Sequence, residues 1–249
     1  MGAAVGMTGV GGGTLMTPIL VLLFRTAPAM AVGTDLWFAA VTKLVGVAAH
    51  QRHGTVDWRV FRRMAAGSIP ATLATLIWMD RMHVAQTRQG LIVHALGAVL
   101  LLAAAAMLFR GRIRSVALRL GSRGTAVVAA VQPALTILGG AVLGTLVALT
   151  SVGAGALGTA MLVYLYPHRL SASRLAGTDV AHAVPLAVVA GTGHLMLGNV
   201  NWMLLASLLL GSIPGVIAGA FVSGRAPEAM MRTAMMLLLL IVSVPLITY

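Results

Sequence analysis

Apolar residues fall in eight long blocks, near residues 3–24, 31–51, 60–79 and 86–109, then 126–166, 172–196, 203–223 and 228–248, with short polar breaks between them. An α-helix rises about 1.5 Å per residue, so ~20 residues cross the hydrocarbon core of a bilayer and most blocks predict one crossing each. The block 126–166 is too long for one crossing. Its middle, Thr150-Ser151-Val152-Gly153-Ala154-Gly155-Ala156-Leu157-Gly158, is rich in residues that tolerate unwound backbone, so it predicts a helix, a break and a half-helix. The pattern is that of an all-α, polytopic helical membrane protein.

Composition supports the class. Of 249 residues, 59% are hydrophobic and 9% charged, against about 25% charged in an average soluble protein, and the mean hydropathy is +0.97. The formal net charge of +12 comes from 17 Lys+Arg against 5 Asp+Glu. In a soluble domain that excess would suggest nucleic acid. Here the arginines flank apolar blocks, and the run Arg110, Arg112, Arg114, Arg119, Arg123 has no interleaved aromatics, so they read as headgroup contacts and topology signals. Nucleic acid is therefore not an expected partner, whereas membrane lipids are. Cysteine is absent, which excludes disulfides, thiolate metal sites and a cysteine nucleophile. Met1 to Gly13 has neither a basic n-region nor a small-residue cleavage site and does not read as a removable signal peptide.

The chain matches itself at an offset of 144. Gly33-Thr34-Asp35 meets Gly177-Thr178-Asp179, Gly67-Ser68-Ile69-Pro70 meets Gly211-Ser212-Ile213-Pro214, and Gly54, Val56 and Trp58 meet Gly198, Val200 and Trp202. His50 meets His194 and Arg81 meets Arg225. Rare residues agreeing without gaps predict two homologous repeats of about four spans each, with broken helices at glycine-rich motifs. The expected organisation is a first transmembrane repeat over 1–109, a basic linker over 110–125 and a second repeat over 126–249, working as one transport unit. Met1 falls opposite Thr145, so the helix expected over Val127 to Gly144 has no counterpart in the first half. Whether the repeats run parallel or inverted is open, as are the orientation in the membrane and any homo-oligomer.

Several positions are candidates for chemistry. Gly9-Val10-Gly11-Gly12-Gly13-Thr14, matched loosely by Gly153-Ala154-Gly155-Ala156-Leu157-Gly158, frees backbone N–H groups at a helix start, an arrangement suited to an anion. Broken helices at corresponding places in two halves mark transporter binding sites; close glycine packing is the bland alternative. Lys43, the sole lysine, lies about twelve residues into its segment, where a charge costs ~2.5–3.5 kcal/mol. Asp35, Thr42, Gly46, His50 and Lys43 share one helix face about 100° wide. The second half keeps Asp179 and His194 but has Ala187 opposite Lys43, so a site on the pseudo-axis is asymmetric. Asp35 and Asp179 each follow a Thr near an expected helix start, where capping is the bland reading. His182, three residues after Asp179, shares its face, yet no HExxH-like cluster supports a metal site, and no cofactor is called for.

Gly9-Val10-Gly11-Gly12-Gly13 followed by Pro18, Gly33-Thr34-Asp35, Thr42-Lys43-Leu44-Val45-Gly46 and Gly54-Thr55-Val56-Asp57-Trp58 together resemble the TauE/SafE sulfite exporter family, also called the 4-toluene sulfonate uptake permease family. The resemblance covers essentially the whole chain. It implies a secondary transporter that moves sulfite, sulfoacetate or other organosulfonates across the bacterial inner membrane. Combined with the residues, it places the anion at Lys43 and the backbone of Gly11, Gly12, Gly13, Thr14, Gly155 and Gly158. Thr34 and Thr178 are expected to add hydroxyl donors, and Asp35, His50, Asp179 and His194 to exchange protons. The runner-up is a metal or cation transporter. An intramembrane enzyme is less favoured, because no nucleophile and base stand at helical spacing.

Overall fold

The computed structural model describes residues 13–52, 54–123, 125–223 and 228–247. Within them the order is α1 (Gly13–Leu22), α2 (Pro28–Arg52), α3 (Trp58–Arg81), the single turn α4 (Val84–Thr87), α5 (Gln89–Arg123), α6 (Thr125–Thr150), α7 (Ala156–Leu165), α8 (Ala172–Met196), α9 (Trp202–Ser223) and α10 (Glu228–Ile247). No strand occurs among the described residues. A chain in lipid must satisfy its backbone internally, and helices do so within each segment. The arginine-rich stretch expected as a linker is helical through Arg123 and closes α5.

The long block resolves as α6, a break and the half-helix α7. In the break Ser151, Gly153 and Gly155 have φ of 60°, 135° and 123°. The Thr150 hydroxyl accepts the Val152 N–H at 3.1 Å, holding the turn where helical bonding stops. Turns at Gly54 (φ 61°) and Gly198 (φ 73°), each in the left-handed region glycine allows, reverse the chain before Trp58 and Trp202, which are 47% and 55% exposed.

Helix bounds repeat at the 144-residue offset: Pro28–Arg52 corresponds to Ala172–Met196, and Gly13–Leu22 lies within a residue of Ala156–Leu165. Direction is read from the contacts. Gly33 lies against the Asn199 carbonyl and His194, Gly191 against Leu36 and Trp37, and Gly177 against Thr55. Helices α2 and α8, which correspond at the 144-residue offset, are therefore antiparallel. Small residues (Ala29, Ala40, Ala183, Ala187, Ala190) dominate the core where they cross and allow the close approach.

Two seams flank this crossing. Along one, α3 runs parallel to α8, with Asp57 beside Thr178, Ser68 beside His182 and Leu76 beside Gly193. Along the other, α9 runs parallel to α2, with Asn201 beside Thr34, the rings of Trp202 and Trp37 6.2 Å apart, and Leu205 packed in one cluster with Phe38. Helix α6 covers α3: Gly67 abuts the Ile137 carbonyl, Gly140 the Met64 carbonyl and Gly144 the Ser68 backbone. At Gly211, which corresponds to Gly67, nothing among the described residues stands within 4 Å of where a Cβ would be.

The outside is apolar. Leu102, Leu138, Val142, Leu210, Met203 and Ile241 are more than half exposed, as a surface facing lipid chains requires. By length and composition, three helices among the described residues are long and apolar enough to cross a membrane: Gln89–Arg112, Ala130–Thr150 and Ala172–Met196. Helix α8 is the most enclosed of these, and it carries much of the site.

Candidate functional site

Polar side chains gather where α2 crosses α8 and the short helices α1 and α7 meet them. Asp35 is wholly buried in α2, and the Thr17 hydroxyl of α1 donates to its Oδ2 at 2.6 Å. Asp179 is buried in α8, and the Thr159 hydroxyl of α7 donates to its Oδ2 at 3.4 Å. Each carboxylate thus meets a threonine on the half-helix of its own half. Neither caps a helix, contrary to the bland expectation: α2 begins at Pro28 and α8 at Ala172, capped by Ser171, so both aspartates lie well inside. Gly158 explains itself here, since a Cβ on it would collide with Asp179 Oδ1.

Lys43 is half-buried in α2, and its charge acts on both halves of the site. Its ammonium lies within electrostatic reach of Asp35 and Asp179 and of His182. No ion pair within 4 Å holds it among the described residues, where Asp57–Arg169 is the one such pair. His194 Nε2 bonds the Ala148 carbonyl at 2.8 Å, and His182 Nε2 bonds Ser68 Oγ at 2.8 Å. Asp35 lies beside the Ser151 hydroxyl and Asp179 beside the Gly155 N–H, whereas His182 Nδ1 and His194 Nδ1 are buried without a hydrogen-bond partner. An orphaned buried polar atom costs about 1–3 kcal/mol, so the two dry imidazole nitrogens are open to a further partner.

The remaining candidates fall as follows. Thr34 and Thr178 are buried, and their oxygens accept the Asn201 and Asp57 N–H groups at 3.1 and 2.9 Å, which leaves each hydroxyl hydrogen for another acceptor. The Gly158 N–H donates to the Gly153 carbonyl at 3.1 Å, so that amide is engaged within the break. Gly155 stands at the N-cap of α7. Gly13 and Thr14 open α1, while Gly11, Gly12 and the side chains of Thr14 and His50 lie outside the described residues. Among the described residues no group of three or more His, Cys, Asp or Glu is placed to hold a metal ion.

Three features escaped the sequence reading. Thr17 and Thr159 stand at the ends of the two glycine-rich motifs but carried no expected role, because a threonine near a break looks like any other. Ser68 read only as part of the repeated Gly67-Ser68-Ile69-Pro70 match. Asp57 read as a loop residue, yet it caps α3 through the N–H groups of Arg59 and Val60, both at 3.1 Å, and is gripped by Arg169. Partial burial pushes the Asp57 carboxyl up. The Arg169 hydrogen bond, the Val60 and Arg59 N–H groups and the Arg169 charge outweigh that and hold it below the usual carboxylate range.

Comparison with known proteins bears on the whole chain. The family model described as sulfite exporter TauE/SafE matches residues 1–246. The chain is 41% identical over 232 residues to the probable membrane transporter protein YjnA of Bacillus subtilis (strain 168), covering 90% of this chain and 87% of that one. It is 28% identical over 243 residues to YdhB of the same organism, also named a probable membrane transporter protein, covering 95% and 92%. No solved structure matches.

Proposed function

The chain belongs to the sulfite exporter TauE/SafE family, and from that premise we propose that it exports small sulfur oxyanions, namely sulfite, sulfoacetate or another organosulfonate, with proton coupling. It is a multi-pass transporter of the inner membrane, not an enzyme. The observation that carries the finer reading is the lone Lys43 ammonium within reach of two buried carboxylates at the antiparallel crossing.

An oxyanion entering the interior needs a positive partner and hydrogen-bond donors. Lys43 supplies the charge, the hydroxyls of Thr34 and Thr178 supply donors, and the backbone of Gly155 to Gly158 lines the site. With its N–H engaged, Gly158 contributes room for Asp179. One ammonium and two ionised carboxylates sum to one net negative charge, which repels an anion. One proton on the pair cancels that charge and a second reverses it. Anion binding is thereby linked to proton uptake at Asp35 and Asp179, with His50 and His194 as the groups that pass protons onward.

The test is thermal stabilisation of the detergent-solubilised protein by sulfite, sulfoacetate, taurine and divalent metals. A ligand at about 100 times its Kd adds ~2.7 kcal/mol to the folded state. Stabilisation by the sulfur oxyanions is expected. Stabilisation by metals and by no oxyanion would replace this reading with cation transport.

A further inference from the structure

His182 is 1% exposed, with Nε2 bound to Ser68 Oγ at 2.8 Å and the Phe61 ring set edge-on, centroids 6.5 Å apart. Its Nδ1 is buried and has no hydrogen-bond partner, and the Lys43 charge acts on the ring. The position 144 residues earlier is Phe38, also fully buried; Ser212 corresponds to Ser68 and Leu205 to Phe61. The same architectural slot therefore accepts a hydrocarbon ring in the other seam, where Phe38 packs with Leu205. Packing alone does not call for an imidazole, and leaving one of its nitrogens dry carries a cost.

Resting on the transport reading above, we propose that His182 is a specificity-determining residue of the substrate site: Ser68 donates its hydroxyl hydrogen to Nε2, and the Nδ1–H donates to an oxygen of the sulfur oxyanion held beside Lys43. The Ser68 contact fixes the ring and the tautomer, a positioning role for the serine. The seam between α3 and α8 then presents an imidazole to the substrate where the seam between α9 and α2 has the Phe38 ring. A pyramidal sulfite has separate oxygens for the two partners, whereas a monatomic chloride seated on the ammonium has no second acceptor atom to extend to His182. His182 accordingly separates oxyanions from simple halides.

The experiment titrates sodium sulfite, and separately chloride, into purified wild type and three variants. In His182→Asn the amide nitrogen reproduces the place of Nδ1, in His182→Gln it reproduces Nε2, and His182→Phe restores the residue found at position 38. Sulfite affinity should fall about tenfold in the Gln and Phe variants, remain within about threefold of wild type in Asn, and chloride affinity should stay level throughout. Sulfite affinity unchanged in a folded Gln or Phe variant overturns the inference, as does an Asn variant that loses as much as Phe. If the Phe variant does not fold, the Asn and Gln pair decides alone. Wild type that binds neither sulfite nor sulfoacetate overturns the transport reading and this inference with it; wild type that binds while the variants match it overturns only the inference.

Discussion

Arg169 holds Asp57 with two hydrogen bonds, Nε to Oδ2 at 2.8 Å and Nη2 to Oδ1 at 3.1 Å, and so ties the turn before α3 to the loop before α8. At the opposite end of the antiparallel pair the corresponding residues are Arg25 and Asn201. Asn201 still receives the Leu204 N–H at 3.0 Å, the capping role, but carries no charge for an arginine. One end of the crossing is fastened by an ion pair and the other is not.

Replacing Asp57 by Asn should therefore keep the cap and lose only the charge pairing, lowering stability by about 0.2–1 kcal/mol, since Arg169 is 39% exposed. Asp57→Ala should cost about 1–2 kcal/mol more through the lost cap. Because the folded carboxyl sits below its ordinary value, its contribution is present above the unfolded pKa near ~4 and disappears as pH falls through the folded value. Melting temperatures of wild type and Asp57→Asn should converge in acid and separate above about pH 5.

Lys43→Ala is expected to reduce sulfite binding at least tenfold, because the site loses the ammonium that acts on both carboxylates. Lys43→Arg should restore part of it. Binding to purified Lys43→Ala at wild-type affinity would remove the ammonium from the site.

For Asp35→Asn and Asp179→Asn, anion binding should weaken less with rising pH than in wild type, and transport in vesicles should depend less on an imposed pH gradient. A neutral amide cannot exchange a proton, so the linkage of proton and anion is lost while the Thr17 and Thr159 contacts retain an oxygen to bond. A rate in wild-type vesicles indifferent to the gradient would count against coupling itself.

Gly33→Ala and Gly177→Ala are expected to destabilise by about 1–3 kcal/mol each, since a methyl group would meet the backbone of Asn199 in one case and the Thr55 hydroxyl and carbonyl in the other. Gly54→Ala has open space around it, and its cost of about 1 kcal/mol arises from the positive φ alone. Thermal melts in one detergent would rank the three.

Much of the architecture was legible because it rests on local properties. Apolar blocks of the right length gave the helices, and the glycine-rich middle of 126–166 gave the break at Ser151 to Gly155. The turns at Gly54 and Gly198 fall in the polar breaks between apolar blocks, at residues that match across the 144-residue offset. The capping role suggested for Asp35 and Asp179 failed because the helices begin earlier, at Pro28 and Ala172, and a Gly-Thr-Asp triplet does not mark a start when apolar sequence precedes it. The site itself was half legible. A lysine or aspartate inside an apolar block announces itself by its solvation cost, whereas Thr17, Thr159 and Ser68 cost little to bury and announce nothing.

The sequence by itself determined that the chain is a bundle of membrane helices, that its halves match at 144 residues, and that Lys43, Asp35 and Asp179 need a reason to be inside. Those conclusions depend on the transfer free energy of each residue and on rare residues agreeing at one spacing, both properties of the linear chain. Only the tertiary structure decided that α2 and α8 are antiparallel, that the Lys43 charge acts on both carboxylates, and that His182 faces Ser68 where Phe38 sits in the other seam. Helix direction and contact across 114 residues of sequence are set by which small faces fit together, and no local preference encodes that fit.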